Sequence, residues 1–193
     1  MGLTVEKCLQ AWTNSLRQMN AKADIVFFGD SLTYYGDFAS VFPDKVVCNL
    51  GLRGDNIQGM IDRVEQVRIL EPKKVFLMAG VNNLTASSTE EFKELYCRLV
   101  CAFFKQIPSV ELIIQSLLPV NDRDFFIRSN NEKIVACNNM ILSIANKFKL
   151  NHLDLFSHYV IDGILPMDYT NDGIHLRPGA YDAWYHLLRK SNA

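Results

Sequence analysis

The chain has 193 residues, of which 20 are basic and 21 acidic, and 49% are hydrophobic. These values are typical of one soluble globular domain, which we expect to extend over residues 1–193. The even charge balance disfavours nucleic acid or an anionic membrane surface as the main partner, because both bind a concentrated basic face.

The beginning of the chain lacks the charged and apolar regions of a signal peptide, and Glu6 stands where a myristoylation motif has serine or threonine. No apolar run approaches the roughly 20 residues that a membrane span needs. We therefore expect a cytoplasmic protein without a membrane span, or a secreted or periplasmic one if an export signal has been removed. The five cysteines include no C-x-x-C pair, and we expect buried free thiols.

Short apolar runs alternate with longer segments of helical period, which is typical of stacked β-α units. Strands are predicted over residues 25–28, 46–50, 75–79 and 112–115, with a weaker fifth over 152–155. Their almost wholly apolar composition favours parallel strands covered by helices on both faces. Helices are predicted over residues 5–19, 56–70, 88–106, 130–148 and 178–190, the third opening with a capping box of Ser88 and Glu91. The pattern predicts an α/β protein, a three-layer α/β/α sandwich with a five-stranded, mainly parallel sheet.

Ligands of such sheets bind beyond the carboxyl ends of the strands, so the residues that follow each strand are the informative ones. Gly29-Asp30-Ser31-Leu32 follows the first strand and places a serine, with its N–H, at the start of a helix. The same tetrapeptide is also typical of a simple helix N-cap. Gly51-Leu52-Arg53-Gly54 follows the second strand, where glycines allow close approach of a ligand or form a plain loop.

Asn82 and Asn83 follow the third strand. A side-chain amide there is a neutral donor suited to a developing oxyanion, although asparagine is also a frequent turn residue. Near the end of the chain, Asp172 and His175 lie three residues apart, so the carboxylate can hold the imidazole in one tautomer. His152 offers similar chemistry but begins the weak fifth strand, and we expect it to be structural.

In this order and at these strand ends, the four clusters resemble the SGNH hydrolases, also called GDSL hydrolases, over residues 28–179. The resemblance implies a flavodoxin-like SGNH hydrolase fold and extends to platelet-activating-factor acetylhydrolase-like and carbohydrate acetylesterase-like members. It also implies the site residues. Those are the nucleophile Ser31, its partners Asp172 and His175, and an oxyanion hole made by the N–H groups of Ser31 and Gly54 and the amide of Asn82.

One position departs from the family pattern, because Asn83 stands where the third block usually has aspartate. The change bears on hydrogen bonding in that loop more than on the reaction itself. Four residues near the expected site are candidates for substrate binding, namely Tyr34, Arg53, Asn83 and Leu118.

The resemblance implies a serine esterase or acylhydrolase that forms an acyl-serine intermediate and needs no cofactor and no metal. We expect a small-molecule or glycan ester as substrate, with a small acyl group, acetyl above all, on a carbohydrate or similar polar alcohol. A lysophospholipase or thioesterase acting on lipid is the alternative. A metal phosphoesterase is disfavoured by the four scattered histidines, and a non-catalytic binding module by the filled catalytic positions. The sequence leaves homo-oligomerisation open.

Overall fold

The computed structural model describes residues 5–85 and 87–191. Its strands are β1 (Ile25–Gly29), β2 (Val47–Gly51), β3 (Lys74–Leu77), β4 (Glu111–Gln115) and β5 (Asn151–Leu153). They form one sheet in the order β2-β1-β3-β4-β5, and every neighbouring pair is parallel. The predicted class and all five strands are confirmed, with strand ends displaced by at most two residues.

Helices cover the sheet as α1 (Val5–Gln18), α2 (Ser31–Tyr34), α3 (Ile57–Asp62), α4 (Val64–Leu70), α5 (Thr89–Gln106), α6 (Asn131–Phe148), α7 (Phe156–Tyr159) and α8 (Tyr181–Ser191). The chain passes from β1 to β2 in one direction along the sheet and then from β2 past β1 to β3 in the other direction. Because both crossovers are right-handed, the segment before β2 and the segment after β2 lie on opposite faces of the sheet. Helices α3 to α6 accordingly contact one another, whereas α8 packs on the 3₁₀ turn Ala39–Val41. The capping box that begins α5 is present as predicted.

The helix predicted over residues 56–70 was wrong in one respect, because it breaks at Arg63 into α3 and α4. The Arg63 backbone leaves the helical region, with φ −117° and ψ 13°. Its guanidinium turns into the core and donates to the Asp55 carboxylate and to the carbonyls of Leu50 and Gly29. The apolar periodicity continues across the break, so the sequence pattern could not reveal it.

The core lies on both faces of the central strands. Phe27 of β1 stacks between Phe38 and Phe76, with ring centroids 3.8 and 4.8 Å away. On the α8 side, the indole N–H of Trp184 donates to Gln115 at 2.8 Å and ties that helix to β4. These contacts fix the helix that follows the Asp172–His175 segment against the sheet.

Two smaller features complete the fold. Within residues 5–85 and 87–191, no helix is long and apolar enough to cross a membrane. The five cysteines are free thiols, of which only Cys137 is buried, while Cys48 and Cys97 are partly buried. The expectation of buried thiols was wrong for the exposed Cys8 and Cys101. Both lie on outward faces of amphipathic helices, α1 and α5.

Candidate active site

Ser31 is the first residue of α2, directly after the turn that ends β1. The preceding Asp30 is the N-cap, and its Oδ1 accepts a hydrogen bond from the Leu32 N–H at 2.9 Å. A Cβ at Gly29 would lie 2.8 Å from the Met78 carbonyl oxygen, so only glycine fits this close approach to the next strand. Because Asp30 caps the helix, the Ser31 hydroxyl is free for other contacts. The backbone N–H of Ser31 lies in the first turn and therefore has no acceptor within the helix.

His175 joins Ser31 to Asp172. Its Nε2 lies 2.9 Å from Ser31 Oγ, and its Nδ1 lies 2.7 Å from Asp172 Oδ2. The other carboxylate oxygen of Asp172 accepts hydrogen bonds from the backbone N–H groups of Ile174 and His175, at 3.0 and 2.8 Å. The turn thus holds both the carboxylate and the ring in place.

The charge of Asp172 follows from these contacts. Partial burial would raise the pKa of its carboxyl, but the hydrogen bonds from the His175 ring and from the two backbone N–H groups outweigh burial and lower the pKa to about 2. Asp172 is therefore ionised at neutral pH and accepts the Nδ1 proton of His175. With that proton on Nδ1, Nε2 can accept the proton of the Ser31 hydroxyl.

The Asp172–His175 turn is docked on the segment that follows β4. The Asn121 N–H donates to the Gly173 carbonyl at 2.8 Å. Gly173 has φ +82°, and a Cβ there would lie 3.0 Å from the Asn121 carbonyl oxygen. A side chain at Gly173 would therefore strain the backbone and separate the turn from its support.

The three expected oxyanion donors belong to adjoining loops. Gly54 has φ +74°, and its N–H makes no hydrogen bond within the described part of the chain. The amide of Asn82 donates to the Asp55 carbonyl at 2.7 Å, which orients the amide and leaves its second hydrogen available. Ser31 and Asn82 line the same cavity, so the hydroxyl and the amide can reach the same ligand.

Asn83 has a different task from the one expected. Its Oδ1 accepts a hydrogen bond from the Ile57 N–H at 3.0 Å, and the side chain is buried. Asn83 thus ties the loop after β3 to the start of α3. Although asparagine replaces the usual aspartate at this position, the side chain still makes a hydrogen bond that holds the loop.

The other three expected substrate-binding residues also lie outside the cavities beside His175. Leu118 is buried in the core, and Tyr34 is half exposed. Arg53 is exposed, with its guanidinium 5.7 Å from the centre of the Tyr35 ring. The structure therefore brings together Ser31, Asp172, His175 and Asn82 but not these three.

Two cavities adjoin His175. The first, of about 330 Å³, contains Ser31 and Asn82 and has an apolar wall that includes Val81, Val120, Ile127 and Ile174. The second, of about 490 Å³, is lined by residues that include Tyr35, Tyr181 and Tyr185. Tyr181 and Tyr185 were not among the residues that the sequence predicted for the site. The available signal was that a helix beginning only six residues after His175 has to pass close to it.

Asp30 is a buried carboxyl group beside the nucleophile. Its Oδ2 has no hydrogen-bond partner within the described residues. Burial, followed by a smaller contribution from nearby Asp55, outweighs the Leu32 hydrogen bond and raises the pKa of Asp30 to about 7. Asp30 thus caps α2 largely in its protonated form below neutral pH.

Known proteins share the sequence pattern and the fold of this chain. The model of the GDSL-like lipase/acylhydrolase family matches residues 27–183. A structure from Streptococcus pneumonia, provisionally described as a platelet activating factor, is 24% identical, with a TM-score of 0.83 and coverage of 96% of this chain and 92% of that one.

Two further structures share the fold. A GDSL-like lipase from Bacteroides thetaiotaomicron is 19% identical, with a TM-score of 0.79 over 95% of this chain and 96% of that one. An acetyl xylan esterase is 18% identical, with a TM-score of 0.75 over 88% of this chain and 99% of that one. No functionally curated protein matches the chain.

Proposed function

The chain belongs to the GDSL-like lipase/acylhydrolase family, whose members hydrolyse ester bonds, and from that premise we propose that it removes small acyl groups, acetyl above all, from a carbohydrate or similar polar alcohol. The reaction passes through an acyl-serine at Ser31. The observation that carries the proposal is the continuous contact from Asp172 through His175 to Ser31, at 2.7 and 2.9 Å, beside a cavity that also contains Asn82.

In the first step His175 Nε2 takes the proton of the Ser31 hydroxyl as Oγ attacks the ester carbonyl carbon. The carbonyl oxygen becomes an oxyanion that accepts hydrogen bonds from the N–H groups of Ser31 and Gly54 and from the Asn82 amide. Each such donor contributes about 3 kcal/mol to stabilising the tetrahedral intermediate.

The intermediate collapses when the bond to the alcohol oxygen breaks and His175 gives that oxygen its proton. Water then enters, loses a proton to His175 and attacks the acyl-serine carbonyl. The second tetrahedral intermediate uses the same oxyanion donors and releases the carboxylic acid, while His175 returns a proton to Ser31. Asp172 remains ionised throughout and stabilises the imidazolium.

The cavity beside Ser31 supports a small acyl group. Its volume is about 330 Å³, and part of this space must hold the carbonyl and the leaving oxygen. Val81 and Ile174 adjoin Asn82 and His175 in sequence, so their side chains border an acyl group that is bound to Ser31. An acetyl xylan esterase of the same fold accords with this substrate class.

A lipid acylhydrolase is the second candidate, and one observation favours it. Phe126 lines the Ser31 cavity and is nevertheless fully exposed to solvent, with Ile127 beside it. An exposed aromatic ring at the mouth of a cavity suits contact with an acyl chain or a lipid surface.

The test measures hydrolysis of p-nitrophenyl esters from acetyl to palmitoyl and acetate release from acetylated sugars. We expect the acetyl ester to react fastest, Ser31→Ala to abolish turnover while keeping the unfolding transition, and the exposed-site control Ser109→Ala to behave as wild type. A fluorophosphonate probe should label wild type but not Ser31→Ala. Undiminished turnover in Ser31→Ala would overturn the proposal, and a preference for long chains would favour the lipid candidate.

A further inference from the structure

The second cavity beside His175, of about 490 Å³, has no part in the steps described above. We define it as the tyrosine cavity by six of its lining residues, Tyr35, Asp37, His175, Pro178, Tyr181 and Tyr185. Its volume lies within the roughly 300–1,000 Å³ range of ligand sites. His175 lines both this cavity and the one that contains Ser31, so the two cavities adjoin at this residue.

The direction of the reaction decides which part of an ester faces the tyrosine cavity. The carbonyl oxygen turns towards Asn82 and the N–H of Gly54, and the acyl group occupies the Ser31 cavity. The alcohol oxygen must face His175 Nε2, because that nitrogen supplies the proton with which the alcohol leaves. The tyrosine cavity adjoins His175, so it lies within reach of the remainder of the alcohol.

Three tyrosine rings line the tyrosine cavity. The Tyr35 ring meets the His175 ring edge-on, with centroids 5.7 Å apart and an interplanar angle of 87°. The rings of Tyr181 and Tyr185 lie at 28° to each other with centroids 5.9 Å apart. Aromatic faces carry partial negative charge, so they attract the polarised C–H groups of a sugar ring.

Asp37 supplies the polar group of the tyrosine cavity. Its backbone N–H donates to the Tyr185 hydroxyl oxygen at 2.6 Å, which fixes the two residues beside each other. Its carboxylate makes no hydrogen bond or ion pair within residues 5–85 and 87–191 and is exposed at the cavity. A carboxylate in this position accepts strong hydrogen bonds from hydroxyl groups of a ligand.

The charge of the lining selects among alcohols. Asp37 and Asp172 are acidic, and no lysine or arginine is among the residues that line the tyrosine cavity. A phosphorylated or carboxylated alcohol would meet these two carboxylates, whereas the guanidinium of Arg53, 5.7 Å from the centre of the Tyr35 ring, is not part of the lining. An uncharged polyol has hydroxyl groups for Asp37 and C–H faces for the tyrosine rings.

We propose that the tyrosine cavity is the alcohol subsite of the enzyme and takes an uncharged pyranose or similar polyol, with Tyr35 as a stacking residue and Asp37 as the acceptor of its hydroxyl groups. This assignment rests on the proposed function, because it presupposes that Ser31 is acylated by a carbohydrate ester. It adds the residues that recognise the alcohol, and it excludes alcohols that carry a negative charge.

The experiment compares three acetate esters that share the acyl group and differ in the alcohol: an acetylated methyl pyranoside, an acetylated sugar phosphate and methyl acetate. We expect Tyr35→Ala and Asp37→Asn to lower kcat/KM for the pyranoside ester, mainly through KM, at least tenfold more than they lower it for methyl acetate. Asp44→Asn removes an exposed carboxylate outside the tyrosine cavity and should leave all three rates unchanged.

A second measurement separates binding from chemistry. The free methyl pyranoside should inhibit methyl acetate hydrolysis competitively in wild type and at least tenfold more weakly in Tyr35→Ala, whereas the sugar phosphate should inhibit neither. Equal losses on all three esters, or better inhibition by the sugar phosphate, would overturn the subsite assignment. If wild type hydrolyses no acetate ester at all, including methyl acetate, the proposed function fails instead.

Discussion

The guanidinium of Arg63 lies 2.6 Å from the Asp55 carboxylate, and both side chains are almost completely buried. The same guanidinium donates to the carbonyls of Leu50 at 2.9 Å and Gly29 at 3.0 Å. Gly29 lies two residues before Ser31, and Asp55 directly follows the expected oxyanion donor of the second loop. One side chain therefore joins the ends of β1 and β2 to the loop that completes the site.

This arrangement predicts a large effect of Arg63→Ala. The change leaves the Asp55 carboxylate buried without its cation, which costs about 3–5 kcal/mol of unfolding free energy. Arg63→Lys keeps the charge but not the planar fork that reaches three acceptors, so we expect an intermediate loss and a lowered kcat. Urea unfolding and ester hydrolysis measure both effects.

The control is Arg68→Ala, which removes an exposed ion pair and should cost less than about 1 kcal/mol of unfolding free energy. Equal unfolding midpoints for Arg63→Ala and Arg68→Ala would contradict the prediction.

The second prediction concerns the Asp172 side chain, whose two oxygens have different partners. In Asp172→Asn, the amide oxygen should keep the backbone hydrogen bonds from Ile174 and His175, which turns the NH₂ towards His175 Nδ1. That ring nitrogen must then accept, so Nε2 carries the proton and cannot take one from Ser31. We expect kcat to fall by roughly 10⁴-fold with little change in KM. Full activity at neutral pH in this variant would show that the tautomer is not set by Asp172.

The sequence predicted the sheet because parallel strands that are covered on both faces leave an unmistakable apolar pattern. It also named Ser31 and the Asp172–His175 pair, since a fixed order of clusters at strand ends is visible without coordinates. It named Tyr34 as a candidate for substrate binding, whereas the ring that meets His175 belongs to Tyr35. Both follow the same strand, and only the end of the four-residue helix α2 decides which ring turns towards His175.

Buried polar contacts were the other part that the sequence could not supply. Arg63 stands within an apolar helical pattern and would be placed on a solvated helix face by its charge alone. Its role depends on three acceptors from segments 8 to 34 residues away in the chain. Asn83 likewise looks like a ligand-facing amide until its bond to the Ile57 N–H is seen.

The third prediction tests the Gly54 N–H through a pair of glycines. Gly54 and Gly163 have φ +74° and +84°, and a Cβ would meet no atom within 4 Å at either position. Alanine should therefore cost each site about 1–2 kcal/mol of backbone strain without a steric clash. Only Gly54→Ala should turn an oxyanion donor away, lowering kcat by roughly 10²-fold or more with KM nearly unchanged. Steady-state kinetics and thermal unfolding of both variants check this, and equal activity in the two would contradict a role for the Gly54 N–H.

The last prediction follows from the raised pKa of Asp30, which burial moves from 3.8 to about 7. Below about pH 4 the group is protonated in both the folded and the unfolded chain and contributes nothing to the pH dependence. Between about pH 4 and 7 the unfolded chain ionises while the folded protein stays protonated, so stability falls by up to about 1.4 kcal/mol per pH unit. Above pH 7 both forms are ionised, and the accumulated loss is on the order of 4 kcal/mol.

Asp30→Asn removes this titration but retains an oxygen that can accept the Leu32 N–H at the N-cap. Relative to wild type, the variant should therefore gain unfolding free energy steadily from pH 4 to pH 7 and no further above it. Urea unfolding at half-unit pH intervals measures the difference. Ser109→Ala provides the control, because it changes an exposed side chain that carries no titratable group and should give a difference that does not change over this range. A flat difference for Asp30→Asn as well would mean that Asp30 is already ionised in the folded protein, with its charge balanced by Arg63.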